Sequence, residues 1–420
     1  MTKRTTRFFR REEPGIIQFL PTIVSVVPAA GILFLDLIRL RPNRITEGET
    51  FALFDAGLFR HPSTAIVFAA VVIITALAVL GAVHFQDRIS RATGWRADLI
   101  GLYLWTLVIT VLPWIIFQFA AEELARTDQL DDVARISPGG ALWLALISAL
   151  AAWHELLRNS RGILRWITGA VLAVTAVTIL SRFAVPPLDR LSYLVEYDVR
   201  SDRFLREVAR HVRLSGTAVA LACLIGVPSG ITAHRYPRLR DAILDITSTI
   251  QTIPSLAMFG LLIAPLAALS RAVPALRRMG VSGVGTTPAI IALTVYALLP
   301  VVRNTVTGLA VIPDDIRESG RAMGMTDRQR FWMVEMPLAF PVLLRGIRTA
   351  AVQAVGNTTV AGLIGAGGLG WFVFQGLGQA ATDLVVLGVI PIVVLAIAVD
   401  RLFQVLQRVT TPAGTFQESQ

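Results

Sequence analysis

Apolar runs of about 20 residues, parted by short arginine-bearing loops, recur along this 420-residue chain and leave it few ways to fold. A run of that length crosses the hydrocarbon of a bilayer as a helix; a soluble core helix needs far less. Candidate spans fall at residues 16–36, 64–84, 99–119, 141–157 and 164–184, then at 214–234, 243–269, 288–312, 338–364 and 384–403. The run 141–157 is short. The run 243–269 is interrupted by Pro254 and Pro265, so it reads as one broken span or as two shorter pieces. The count is therefore about ten. Charged residues make up 16% of the chain, against roughly 25% in soluble domains, and the mean hydropathy is +0.63. The expected fold class is an all-α polytopic membrane protein.

The net charge of +10 fits basic cytoplasmic loops. It does not indicate nucleic-acid binding, because the arginines lie between apolar spans and no soluble face gathers them. Lys3 is the only lysine and no glycine-rich loop precedes it, so the chain does not hydrolyse ATP through a P-loop. Cys223, the only cysteine, lies in an apolar run and reads as a packing residue; the count excludes a disulfide or a zinc ribbon. No catalytic or metal-ligating set is expected. The basic N-terminus, with Lys3, Arg4, Arg7, Arg10 and Arg11, precedes a run too long for a signal peptide, which reads as an uncleaved first span.

Arginine in short loops sets the orientation. With the N-terminus in the cytoplasm, Arg88, Arg91 and Arg96, Arg158, Arg161 and Arg165, Arg235, Arg238 and Arg240, and Arg317, Arg321, Arg328 and Arg330 all fall inside. The acidic segment with Glu122, Glu123, Asp128, Asp131 and Asp132 falls outside, and so, against the rule, does the arginine-rich stretch 185–213. Both termini are expected in the cytoplasm. Spans before residue 185 hold few polar residues, whereas those after 213 hold polar residues, prolines and glycines. The expected organisation is an accessory membrane region over 1–184, a polar connecting segment over 185–213, a working core over 214–408 and a cytoplasmic tail over 409–420.

The polar island 313–337 is the most informative segment. Pro313 with Asp314 and Asp315 starts a helix, with acids at the positive end of its dipole. Gly324 stops that helix, and Thr326 or Asp327 caps a second. Ile316, Ala322 and Met323 with charges between them make the first helix amphipathic, as suits a membrane surface or a partner's groove.

This island resembles the EAA motif of ABC importer permeases, in which Glu-Ala-Ala is followed by Gly and, after nine residues, by Ile-x-Leu-Pro. Here Glu318 is followed by Gly324 and, nine residues on, by Val334-Glu335-Met336-Pro337; Ser319 and Gly320 stand where the pattern has alanines. Further phrases are similar to the osmoprotectant (glycine betaine, choline, carnitine) uptake branch: Leu214-Ser215-Gly216-Thr217, Ile250-Gln251-Thr252-Ile253-Pro254-Ser255-Leu256, Leu299-Pro300-Val301-Val302-Arg303-Asn304-Thr305, Gly346-Ile347-Arg348-Thr349-Ala350 and Leu363-Ile364-Gly365-Ala366-Gly367-Gly368-Leu369-Gly370. The resemblance covers about the C-terminal half; the long N-terminal half resembles the extended permeases of that branch. It implies a type I importer permease core in the C-terminal half of a protein of the bacterial cytoplasmic membrane. It also implies a dimer of ATP-binding subunits carrying ATP and magnesium, a solute-binding protein outside and a second permease subunit, the same chain or a related one. Glu318, Ser319, Gly320, Ala322, Gly324 and Pro337 are then expected to couple the chain to the ATPase by docking.

Polar residues within spans are costly and are candidates for a solute path. Gln251, Thr252, Pro254 and Ser255, with Asn304 and Asn357 of neighbouring spans, form the candidate set, and hydrogen bonding between helices is the competing reading. The Gly365-x-Gly367-x-x-Gly370 phrase matches a dinucleotide fingerprint but lacks the strand before it, and reads instead as a flexible turn at the external face where the binding protein docks. The expected function is ATP-driven import of an osmoprotectant by alternating access, with another small solute as the alternative and an ion-coupled secondary transporter as the more distant one.

Overall fold

A computed structural model describes residues 35–41, 49–52, 114, 117, 135–159, 169–170 and 191–410. The expected spans at 16–36, 64–84, 99–119 and 164–184 fall wholly or mostly outside the described residues. The chain divides into two compact units, Met1–Val195 and Glu196–Gln420.

In the first unit, β1 (Asp36–Arg41), β2 (Glu49–Ala52) and β3 (Arg135–Pro138) form an antiparallel sheet in the order β2-β1-β3. This sheet is an addition to the helical expectation. Strand β1 alternates Ile38-Arg39-Leu40, with Ile38 and Leu40 buried, a period-2 signal hidden at the end of an apolar run. Helix α1 (Gly140–Asn159) follows β3, and the Gly140 amide donates to Asp36 Oδ1 at 3.1 Å. Burial disfavours the charged form of Asp36, but the Arg39 guanidinium and the Gly140 amide together outweigh it and hold the carboxyl below its usual range. The first residue of the next helix is tied to the same sheet: Ser192 Oγ lies 2.7 Å from Ser137 Oγ and donates to the Ile136 carbonyl at 3.1 Å.

That helix, α2 (Ser192–Arg235), runs for 44 residues with an irregular backbone at Arg200 (φ −129°, ψ 20°). Residues 192–213, read from sequence as a polar connector, are therefore helical. Glu196 with Arg200 and Glu207 with Arg203 pair at the i, i+4 spacing of one helix face, with both carboxylates buried. The second unit continues with α3 (Pro237–Thr252), α4 (Ser255–Ala272), the short α5 (Pro274–Arg278) and α6 (Thr286–Ala310). Then come α7 (Asp314–Ala322), α8 (Asp327–Arg330), a π turn (Phe331–Glu335), α9 (Met336–Ala361), α10 (Gly370–Gly378) and α11 (Thr382–Thr410).

Five helices among the described residues are long and apolar enough to cross a membrane: Ser192–Arg235, Ser255–Ala272, Thr286–Ala310, Asp327–Ile364 and Thr382–Thr410. They correspond to the expected spans of the C-terminal half, except that 243–269 is two helices. Pro254 cannot donate to the Ile250 carbonyl, and the chain turns extended at Ile253 (ψ 127°) before restarting at Ser255.

Small residues bring the helices together, as they do where lipid removes the hydrophobic drive to pack. Leu214, Ala218, Phe259, Ala289, Ala292, Leu293, Ala361 and Ala366 form one buried cluster between α2, α4, α6 and the end of α9. Helix α6 is the central post, and α9 lies against it through glycines. A Cβ on Gly346 would stand 2.5 Å from both Asn304 Cβ and the Pro300 carbonyl oxygen. One on Gly308 would stand 2.9 Å from the Ala339 carbonyl oxygen.

Candidate coupling loop and solute path

Proline at 313 lets a new helix start but leaves the Leu309 carbonyl of α6 without its i+4 amide. Arg317 replaces that donor: Nη2 donates to the Leu309 carbonyl at 2.7 Å while Nη1 pairs with Asp314 at 2.7 Å. The start of α7 is thus locked to the end of α6. Gly324 (φ +77°) closes α7 in a Schellman turn, with the Met325 amide donating to the Gly320 carbonyl and the Gly324 amide to the Arg321 carbonyl. Thr326 then opens α8 with a reciprocal capping box. The Gln329 amide donates to Thr326 Oγ1, and the Thr326 amide donates to Gln329 Oε1.

One arginine braces the second helix and offers its arm as a packing surface to the first. Arg330 Nε donates to Glu335 Oε1 at 2.9 Å, and Nη2 lies 2.9 Å from Asp327 Oδ1. Gly320 packs on the arm of Arg330, where a Cβ would come within 3.3 Å of Cγ. Gly320 therefore faces into the loop and Glu318 and Ser319 face out, so glycine in place of the motif's second alanine makes room for the arginine. Ile316 also faces inward, beside the buried Leu309, Ile312, Phe331 and Ala339. Outward stand Glu318, Ser319, Ala322, Gly324 and Pro337, together with Met323, Trp332 and Met333, each more than half exposed. Trp332 and Met333 were not singled out in the sequence, because the signal there is their place in a polar island and not a periodicity. The Arg235 guanidinium at the end of α2 lies over the Phe331 ring at 5.3 Å.

The candidate path residues do not form one cluster. At the break between α3 and α4, Gln251 Nε2 donates to the Tyr296 carbonyl at 2.8 Å, and the Tyr296 hydroxyl donates to the Ile253 carbonyl at 2.5 Å. Both acceptors are explained by proline. Pro300 cannot serve the Tyr296 carbonyl, and Pro254 ends the helix that would have covered Ile253. Gln251 is thus turned into the protein as a helix-to-helix tie, while Thr252 and Pro254 are exposed and Ser255 is half-buried. Asn304 is turned onto its own helix, donating to the Pro300 carbonyl at 2.8 Å beside Gly346. Asn357 is half-buried on α9, about 16 Å further along than Gly346 at 1.5 Å per residue. Tyr296 was not singled out, because its role depends on what faces it. Tyr296→Phe removes the donor to Ile253 and is expected to cost about 1–3 kcal/mol. The expected readout is a lower thermal midpoint of the purified protein, and an unchanged midpoint counts against the tie.

One more polar contact lies within the spans: Arg348 of α9 donates to Asp400 of α11 at 2.6 Å, and Gln404 donates to the other carboxylate oxygen at 2.7 Å. Arg348 and Asp400, charged residues inside two apolar runs, were the available sign of this pair.

An inner-membrane permease module matches residues 222–411, described as the binding-protein-dependent transport system inner membrane component. The chain is 42% identical over 205 residues to the osmoprotectant import permease protein OsmW of Salmonella typhimurium, covering 49% of this chain and 90% of that one. This chain belongs to the binding-protein-dependent transport permeases. The permease is also 36% identical to the choline transport system permease protein OpuBB of Bacillus subtilis, over 53% of this chain and 96% of the relative. The carnitine transport permease protein OpuCB of Listeria monocytogenes is 40% identical over 48% of the permease and 86% of its own length. Residues 19–194 match a second description, the N-terminal domain of the ABC transporter permease YehY. A solved structure of the MetNI methionine ABC transporter in inward-facing conformations matches 50% of this chain and 96% of its own, at 23% identity and a TM-score of 0.44.

Proposed function

We propose that this permease moves an osmoprotectant of the quaternary ammonium class, such as glycine betaine, choline or carnitine, across the bacterial cytoplasmic membrane. It does so with a pair of ATP-binding subunits, an external solute-binding protein and a second permease core. The coupling loop is the observation that carries the reading. A helix locked to α6 by Arg317, closed at Gly324 and packed at Gly320 against the arm of Arg330 presents Glu318, Ser319, Ala322 and Met323 to a partner. Force applied to that face reaches α6 and α9 through hydrogen bonds and packed glycines and is not lost in a slack loop. The solute class rests on the relatives, whose names give osmoprotectant, choline and carnitine import. ATP and magnesium belong to the partner subunits. The loop lies in the cytoplasm with both termini, and the start of the Gly365–Gly370 stretch, a whole α9 away, lies outside: 26 residues at 1.5 Å span about 39 Å. Residues 1–184 form an accessory region.

Uptake into proteoliposomes holding the permease, its ATPase and the binding protein tests this directly. Labelled glycine betaine, choline and carnitine are expected to accumulate only with internal ATP. ATP-driven uptake of some other solute class with none of these overturns the solute, and uptake driven by an ion gradient without ATP overturns the mechanism.

A further inference from the structure

The glycine-rich stretch after α9 was read from sequence as a flexible turn. It is instead held by three side chains of α2. Gly365, Gly367 and Gly368 all have positive φ, between +76° and +84°. The backbone amides of this buried turn meet side chains from one face of α2. The Gly368 amide donates to Glu207 Oε2 at 2.6 Å, and the Leu369 amide meets His211 Nδ1 at 3.2 Å. On its other side, His211 Nε2 lies 2.9 Å from the Val355 carbonyl oxygen of α9. An amide can only donate, so Nδ1 accepts, and the proton is left on Nε2, where the carbonyl takes it. Both contacts thus specify the same neutral tautomer. His211 is completely buried and Glu207 is 8% exposed. The arm of Arg210 fills the space above Gly367, where a Cβ would come within 2.7 Å of Arg210 Cδ and 2.9 Å of Glu207 Oε2. Residues 207, 210 and 211 share one helix face by the i, i+3 and i+4 rule.

A buried carboxylate and a buried imidazole spent on two backbone amides more than 150 residues away are costly unless the shape they fix is used. We infer that Glu207 and His211 are positioning residues for the transport cycle: they hold the backbone of Gly367–Leu369 in the shape through which a solute-loaded binding protein signals across the membrane. This rests on the proposed function, since it needs a binding protein at the outer face.

The test is ATP hydrolysis by the complete reconstituted transporter, with and without a cognate binding protein loaded with glycine betaine. His211→Ala and Glu207→Ala are expected to lower the stimulated rate by about fivefold or more, with the unstimulated rate within about twofold of wild type. Asparagine and glutamine separate the two bonds of the imidazole, because the asparagine oxygen falls near Nδ1 and the glutamine nitrogen near Nε2. His211→Asn keeps an acceptor for Leu369 and is expected to retain stimulation, whereas His211→Gln keeps the bond to Val355 and is not. A role in packing alone predicts that the two behave alike, which overturns the inference, as does wild-type stimulation of His211→Ala. Where the alanine variants fail to insert, Glu207→Gln keeps the volume and one acceptor while turning a charge-assisted bond into a neutral one. A stimulated rate lowered about threefold supports the positioning role, and an unchanged rate overturns it. A wild-type transporter that no loaded binding protein stimulates would count against the proposed function, not against the latch.

Discussion

Replacing Gly346 by leucine is expected to leave little or no folded permease in the membrane. A Cβ alone at this position would stand 2.5 Å from Asn304 Cβ, 2.5 Å from the Pro300 carbonyl oxygen and 3.0 Å from Asn304 Cγ. The Pro300 oxygen is backbone in the middle of α6 and cannot swing aside, so the helices must part. Overpacking costs about 1–3 kcal/mol in soluble cores and occasionally more. Here a whole side chain enters a contact made possible by close backbone approach, which is the main source of helix association in lipid. Gly346→Ala is expected to be partly defective and Gly346→Leu severely so. Gly356→Leu on the same helix serves as the control, because a Cβ there meets nothing within 4 Å. Monodisperse yield of a fluorescent fusion on size exclusion reads the result, and Gly346→Leu recovered at the level of Gly356→Leu would falsify the packing argument.

Arg330→Ala is the second substitution with a large expected effect, and it acts on coupling and not on insertion. The buried Glu335 carboxylate loses its partner, Asp327 is released, and the arm against which Gly320 packs is gone. The helix that presents Glu318 then loses the surface on which Gly320 rests. The expected result is permease that reaches the membrane at near wild-type level but drives uptake about tenfold or more slowly. Co-purification of the ATP-binding subunit is expected to weaken in parallel. Removing both charges avoids the stranded carboxylate, so the Arg330→Ala, Glu335→Ala pair is expected to recover part of the loss. Full uptake by Arg330→Ala would show that the loop does not depend on this arginine.

The sequence carried the elements whose signal is local. The spans follow from apolar length, and Pro313, Gly324 and Thr326 mark the two turns of the coupling loop because each acts on its own neighbours. The break at Pro254 was legible for the same reason. What was hidden depends on facing partners. Gln251 looks like a path residue until Tyr296 and Pro300 are seen opposite it, and Gly320 looks like a docking residue until Arg330 fills the space beside it. The small sheet was missed because its strands are short and one of them abuts an apolar run, where a period of two has little room to show. Residues 192–213 were read as a connector because their many charges resemble those of a loop, although the charges are spaced for a helix.

The π turn at Phe331–Glu335 ties the closing of the Arg330–Glu335 pair to the number of residues in the loop. Glu335 lies five positions after Arg330, and in a regular α-helix that step carries a side chain about 140° round the axis, to the far side. The wider i→i+5 turn brings it back to the same side, and the pair closes. Losing one residue between them would restore ordinary helix and also separate the charges, while a substitution leaves the count intact. The interval between Gly324 and Pro337 is thus a dimension of the joint, recorded in the chain as a number of residues.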